Sequence, residues 1–102
     1  MLKETHILGK CVLKSEVIKK DSSFKEALYH FAQHARKQPG CLEYSFLECE
    51  NVPNVFYIHA TWASKKALQQ YWNPAQIERS NFLIRRFMKD CKLSITHTVP
   101  DA

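Results

Sequence analysis

"CLEYSFLECENVPNVFYIHATWA", residues 41–63, alternates twice between two kinds of side chain. In the first run Leu42, Tyr44 and Phe46 oppose Glu43, Ser45 and Leu47. In the second, Phe56, Ile58, Ala60 and Trp62 oppose Val55, Tyr57, His59 and Thr61. A period of two marks a strand, and "NVPN" between the runs carries turn residues. The stretch predicts a β-hairpin.

Upstream lies "KKDSSFKEALYHFAQHARKQPG", residues 19–40. Phe24, Ala27, Leu28, Phe31 and Ala35 recur at helical spacing and predict one buried face. Ser23 and Glu26 have the spacing of a capping box, with Asp21 and Ser22 as alternative N-caps. Pro39-Gly40 ends the helix. Before it, residues 5–17 alternate, with Ile7, Gly9, Cys11 and Leu13 on one side and His6, Leu8, Lys10 and Val12 on the other. That predicts a strand with two partly apolar faces.

Downstream, Ser64 caps "KKALQQYW", and Asn73-Pro74 starts a second helical run. Its stripe is Ile77, Ser80, Ile84, Phe87 and Met88. Residues 91–99 alternate again, with Cys91, Leu93, Ile95, His97 and Val99 on one side. The order is β-α-β-β-α-β. It predicts an α+β, ferredoxin-like fold: an antiparallel four-stranded sheet with two helices on one face. Leu8, Val12, Val55 and Tyr57 make the opposite face apolar as well. Exposed apolar patches mark partners, so the sequence predicts a homodimer paired through the sheets.

The chain has 102 residues, which fits one domain over 1–102. Hydrophobic residues make up 45% and charged residues 25%, and there are 2 Gly and 4 Pro, so neither disorder nor a linker is indicated. No apolar run is long enough for a membrane span. The opening "MLKETHILGK" puts charges where a signal peptide needs an apolar stretch. A cytoplasmic protein without membrane partners is expected. The net charge of +5 is spread over scattered basic residues rather than gathered into an arm. Cys11, Cys41, Cys49 and Cys91 form no Cys-x-x-Cys pair, so the sequence predicts buried thiols, not a zinc ribbon. Cys41 and Cys49 stand eight residues apart on one predicted strand, too far for a disulfide.

Residues 38–72 resemble the antibiotic biosynthesis monooxygenase family. The resemblance rests on Pro39-Gly40-Cys41-Leu42 with Tyr44, on Phe56, and on Trp62-Ala63-Ser64 followed by Ala67-Leu68. The last helix and strand fit by order and length. The resemblance implies a dimeric α/β barrel, with a pocket in each subunit between helices and sheet. It implies oxidation of quinol-like or anthrone-like aromatics without metal or flavin. Haem-degrading enzymes and a protein acting on a sugar-derived signal share the family. Two positions depart from its pattern. Ala60 stands where members often carry Glu, and Tyr71 where they often carry His. Haem-degrading relatives ligate iron through a His of that helix, so Tyr71 and Trp72 argue against haem.

The two tryptophans, Trp62 and Trp72, are ten residues apart, Trp62 late in a strand and Trp72 beside Tyr71 in the helical run that Ser64 caps. Trp62 reads either as core or as pocket wall. Tyr71 and Trp72 point about 100° apart on a helix. A phenol in a dry pocket can donate a hydrogen bond or proton to an aromatic oxyanion. His59 and His97 lie on strands and could act as bases near neutral pH, or be structural. The site expected from these readings has Tyr71 and His59 as catalytic groups. Trp62, Trp72, Phe56 and Ile84 are its substrate-binding residues. His30 and His34 have an i, i+4 spacing that can bind metal, but no third ligand accompanies them. No metal and no cofactor is expected.

The function expected is that of a cofactor-independent monooxygenase acting on a small, electron-rich molecule. The alternatives are a member of the same superfamily that binds a metabolite without turnover or acts as an isomerase, a haem-degrading enzyme, and an RNA-binding module. The element order is shared with the RNA-recognition motif. "VFYIHATWA" lacks that motif's Gly and its Lys/Arg opening, so no nucleic-acid partner is expected.

Overall fold

The computed structural model describes residues 3–20 and 23–99. Met1, Leu2, Asp21, Ser22 and Pro100–Ala102 lie outside the described residues, and with them the alternative N-caps of the first long helix. The elements run β1 (Thr5–Leu13), α1 (Ser15–Lys20), α2 (Ser23–Arg36), β2 (Cys41–Glu48), β3 (Val55–Trp62), α3 (Lys65–Tyr71), α4 (Pro74–Phe87) and β4 (Met88–His97). The strands form one antiparallel sheet in the order β2-β3-β1-β4. This is the expected ferredoxin-like arrangement. Among the described residues no helix is long and apolar enough to cross a membrane.

Alternation sorts the strands as the sequence predicts. Ile7, Cys11, Phe56, Ile58, Ala60 and Trp62 are buried beneath the helices. Leu28, Phe31, Ala32 and Ala35 of α2 close over them. On the other face, Leu8 is 49% and Tyr57 41% exposed, so among the described residues that face has no cover.

Four local readings are corrected. The strand expected over 5–17 stops at Leu13, and α1 follows. Val17 still reaches the core, but from a helical turn; Ser15 and Glu16 are suited to that turn's start. Leu42 does not share a face with Tyr44 and Phe46. A register shift between Cys41 and Glu43 puts Cys41 opposite Trp62 and leaves Leu42 exposed. β4 begins at Met88 rather than 91, and the chain passes from α4 into the strand without a loop. In α4, Gln76 is buried and Ile77 lies at the surface, one position off the expected stripe. The Asn73 cap fixes the start of the helix, and the buried line then runs through 76, 80, 84 and 87.

Both glycines fit tight places. Gly40 has φ +83°, the left-handed conformation that the third position of the Gln38–Cys41 turn takes after Pro39, and lies against Ala67 of α3. Gly9 faces Leu93 across β1 and β4, where a Cβ would run into the leucine side chain.

Candidate functional site

The site grows from the turn that ends β3. Ala63 N–H donates to Gly40 C=O at 2.7 Å, tying this turn to the start of β2. Ser64 Oγ accepts from Ala67 N–H at 3.1 Å and caps α3 at once. So short a connection folds α3 back over the end of β3. Trp62, Tyr71 and Trp72 then form a file of rings from core to surface. Centroids of Trp62 and Tyr71 are 4.6 Å apart, and those of Tyr71 and Trp72 are 6.2 Å apart. Trp62 is fully buried, while Trp72 is 38% exposed.

Beside this file lies a chamber of about 80 Å³, whose wall includes Tyr44, Tyr71, Trp72, Ser80, Ile84 and Cys91. Ile7, Trp72 and Leu93 also border an adjoining apolar groove of about 370 Å³ between α3 and β4. Trp62 backs Tyr71 rather than forming the chamber wall.

Buried polar atoms are normally hydrogen-bonded. Four near this end of the molecule have no partner among the described residues: Trp62 Nε1, Tyr71 OH, Gln76 Nε2 and Ser80 Oγ. Tyr71 and Ser80 belong to the chamber wall. Burial pushes the Tyr71 phenol well above its ordinary range, although Arg79 pulls it down. Burial raises Tyr44 in the same way, with Tyr71 adding to the effect. Both phenols are therefore protonated at neutral pH. Tyr71 is equipped to donate a hydrogen bond, not to remove a proton.

The structure brings together Tyr71, Trp72 and Ile84, with Trp62 behind them. It does not bring Phe56 or His59 to them. Phe56 packs on Phe46 (5.8 Å) and borders a separate pocket of about 300 Å³ under α2. At that pocket the charged groups Lys25 and Glu48 already pair at 2.8 Å. His59 lies on the uncovered face of the sheet, because alternation places it opposite Ile58 and Ala60. There its Nδ1 is 3.2 Å from Glu43 Oε1, and its ring stacks on His6 at 6.3 Å. The sheet separates it from Tyr71.

The helical histidines have other engagements. His30 is exposed and 3.7 Å from Glu26. His34 Nε2 accepts from Arg79 Nη1 at 2.9 Å, which ties α2 to α4. His97 shares a groove with Lys3, Lys65 and Lys66. Sequence reasoning missed Tyr44, Gln76, Arg79 and the place of Cys91 in the wall. Gln76 and Ser80 did carry a signal: polar residues four apart on a helix face that otherwise packs the core.

Comparison with known proteins agrees with the fold. The sequence model described as "Antibiotic biosynthesis monooxygenase" matches residues 19–79. A Pseudomonas aeruginosa protein superposes with a TM-score of 0.81 at 15% identity, covering 97% of each chain. A conserved Methanosarcina mazei protein gives 0.80 at 16% identity, covering 96% of this chain and 95% of that one. A variant of SnoaB, a cofactor-independent oxygenase from Streptomyces nogalater, gives 0.78 at 15% identity, covering 98% of this chain and 96% of that one. No curated protein matches at a significant level. With more than half of its length matched by the family's sequence model, and with the fold the family predicts, the chain belongs to the antibiotic biosynthesis monooxygenase family.

Proposed function

We propose that the protein is a cofactor-independent monooxygenase that oxidises a compact, electron-rich, quinol-like aromatic in the groove beside Trp72, with one oxygen in the chamber at Tyr71. The observation that carries this reading is the pair of unpartnered hydroxyls, Tyr71 OH and Ser80 Oγ, in the wall of an otherwise largely apolar space. A buried hydroxyl without a partner costs about 1–3 kcal/mol. A ligand oxygen between the two would relieve that cost.

Size decides the pose. An apolar cavity of about 150 Å³ holds benzene. The chamber, at about 80 Å³, is too small for a ring and large enough for an oxygen substituent. The ring therefore lies in the groove against Trp72 and Leu93, with one oxygen reaching Tyr71. That oxygen gives its proton to water at the open groove, and the resulting anion is electron-rich enough to react with dioxygen directly: one oxygen atom enters the ring, and the other leaves as water with two hydrogens that the quinol gives up in becoming a hydroxyquinone. Tyr71 stabilises the oxyanion by donating its hydrogen bond, and Arg79 adds positive charge nearby. The small apolar chamber leaves little room for water around the oxyanion. The cofactor-independent oxygenase with the same fold supports this class of chemistry.

Oxygen uptake with 1,4-dihydroxynaphthalene tests the reading. Tyr71→Phe should lower turnover about a hundredfold, the loss typical of one oxyanion donor. Binding, followed by tryptophan fluorescence, should change little. Equal turnover in the two proteins would sink the proposal. Binding without oxygen uptake in the wild type would favour a metabolite-binding role.

The uncovered sheet face is assigned to a second copy of the chain. Leu8, Leu47 and Tyr57 are its exposed apolar residues, and His59 lies among them. Sedimentation at micromolar concentration should give twice the mass of the chain, and Tyr57→Lys should halve it. A wild-type monomer would remove the argument.

A further inference from the structure

Cys11 and Cys91 stand directly opposite each other on β1 and β4, with their sulfurs 3.1 Å apart. Cys11 is wholly buried. Cys91 is half-buried and forms part of the chamber wall. Neither thiol has a role in the oxygenation proposed above. The other two cysteines lack this setting. Cys41 directs its S–H to the Glu43 carbonyl at 3.6 Å, and Cys49 lies beyond the end of β2.

The pair is asymmetric in a useful way. The hydrogen bond between the sulfurs holds Cys11 as the thiol, and burial pushes Cys11 further up. The same bond pulls Cys91 below its ordinary value, against the opposing effects of its own burial and of Asp90. A half-buried thiol that faces a small chamber and is backed 3.1 Å away by a wholly buried one has the arrangement of an attacking and resolving pair.

We infer that Cys91 and Cys11 form a dithiol centre that reduces hydrogen peroxide entering the chamber. Cys91 sulfur attacks the O–O bond. One oxygen stays on Cys91 as a sulfenic acid, and the other leaves as hydroxide and takes up a proton to become water. Cys11 sulfur then attacks Cys91 sulfur. The S–S bond forms, and the sulfenic oxygen leaves as a second water with the Cys11 proton. In sum, two thiols and one peroxide give one disulfide and two waters. Two molecules of a low-molecular-weight thiol restore the pair and become its disulfide.

The backbone already suits the product. Residues opposed in an antiparallel ladder have Cα atoms about 4.5–5.5 Å apart, within the span a disulfide bridges. The bridge can close by side-chain rotation, with both strands in place. The inference stands apart from the quinol reading, since it needs only the chamber and the two thiols.

Peptide mapping of reduced protein after exposure to hydrogen peroxide tests it. The expected product is a Cys11–Cys91 disulfide, with Cys41 and Cys49 still free. Cys11→Ser should leave a sulfenic acid on Cys91 that dimedone traps. Cys91→Ser should slow peroxide consumption about tenfold and leave Cys11 unmodified. Mapping of the wild type needs no variant to fold, so it decides by itself. Oxidation of Cys41 or Cys49 ahead of Cys91, or a Cys11–Cys91 pair still reduced when they have reacted, overturns the inference.

Discussion

Beneath the helices, one half of the sheet, over β2 and β3, is filled largely by interlocking aromatic rings, with the pocket under α2 beside them; the other half, over β1 and β4, is left open along β4. In the filled half Phe31, Tyr44, Phe46 and Phe56 meet edge to face or tilted, with centroids 5.6–6.4 Å apart. Such aromatic contacts add stability beyond the area they bury. In the other half β1 offers Gly9 and Cys11, and Leu93 and Ile95 of β4 are 46% and 66% exposed on the side that should be core. The unpartnered hydroxyls of Tyr71 and Ser80 and the paired thiols all border this second half. The same sheet face thus stabilises at one end and keeps space and unused polar groups at the other. That division is what a small protein needs to hold a site without a second domain.

The largest effect expected from this contrast lies in the filled half. Phe56→Ala should cost about 3–5 kcal/mol, because the ring is 3% exposed and its neighbours are locked against one another. Leu93→Ala should cost less than about 1 kcal/mol, since the side chain already faces open space. Urea unfolding of both variants measures the difference. Similar losses would break the comparison at once.

A smaller effect, of opposite sign, sharpens it. Gln76 is 3% exposed, and its Nε2 has no partner. Its backbone is satisfied, since its N–H donates to Asn73 Oδ1 at 3.0 Å. Gln76→Leu should therefore stabilise the protein by about 1 kcal/mol, relieving an unpaired buried amide. Its melting temperature should rise. A fall would mean that the amide is already satisfied, and that this half of the molecule is better packed than its polar atoms suggest.

The fold was legible because both kinds of period were strong. Alternation in residues 41–48 and 55–62 and the helical stripe of residues 24–35 each reported a buried face, and the structure has those faces. What stayed hidden depended on single-residue phase. The shift at Cys41–Glu43 turned Leu42 outward, and the buried stripe of α4 lies one position off, with Gln76 rather than Ile77 inside. A one-residue slip reverses a strand's faces, and composition cannot report it. At the site, the short turn after Trp62 placed the aromatic file correctly. Trp62 backs Tyr71, however, and His59 faces away from it. Cys91 was legible as an inward-facing residue. Its pairing with Cys11 was not, because register between β1 and β4, eighty residues apart, leaves no mark in either segment alone.

The smallest expected effect concerns the contact that spans the two halves. His34 on α2, over the filled half, accepts from Arg79 on α4, over the unfilled half. Acceptance requires a neutral imidazole. Burial first, then Arg79 and Lys37, lower the pKa of His34 below its ordinary value. The folded state therefore resists the proton that the unfolded chain takes up near pH 6.5. Above that pH neither state is protonated, and the contact is intact. As pH falls from about 6.5 toward the lower folded value, the unfolded state binds more protons, so stability declines. The melting temperature should drop slightly more between pH 7.5 and 5.5 in the wild type than in His34→Gln, whose amide does not titrate. Gln38 holds the His34 carbonyl at 3.1 Å from the same helix end, so the backbone there has a support independent of the ring. If His34→Gln shows the same pH dependence as the wild type, protonation of His34 does not loosen the tie. The two helices would then be held together by packing on their shared sheet alone.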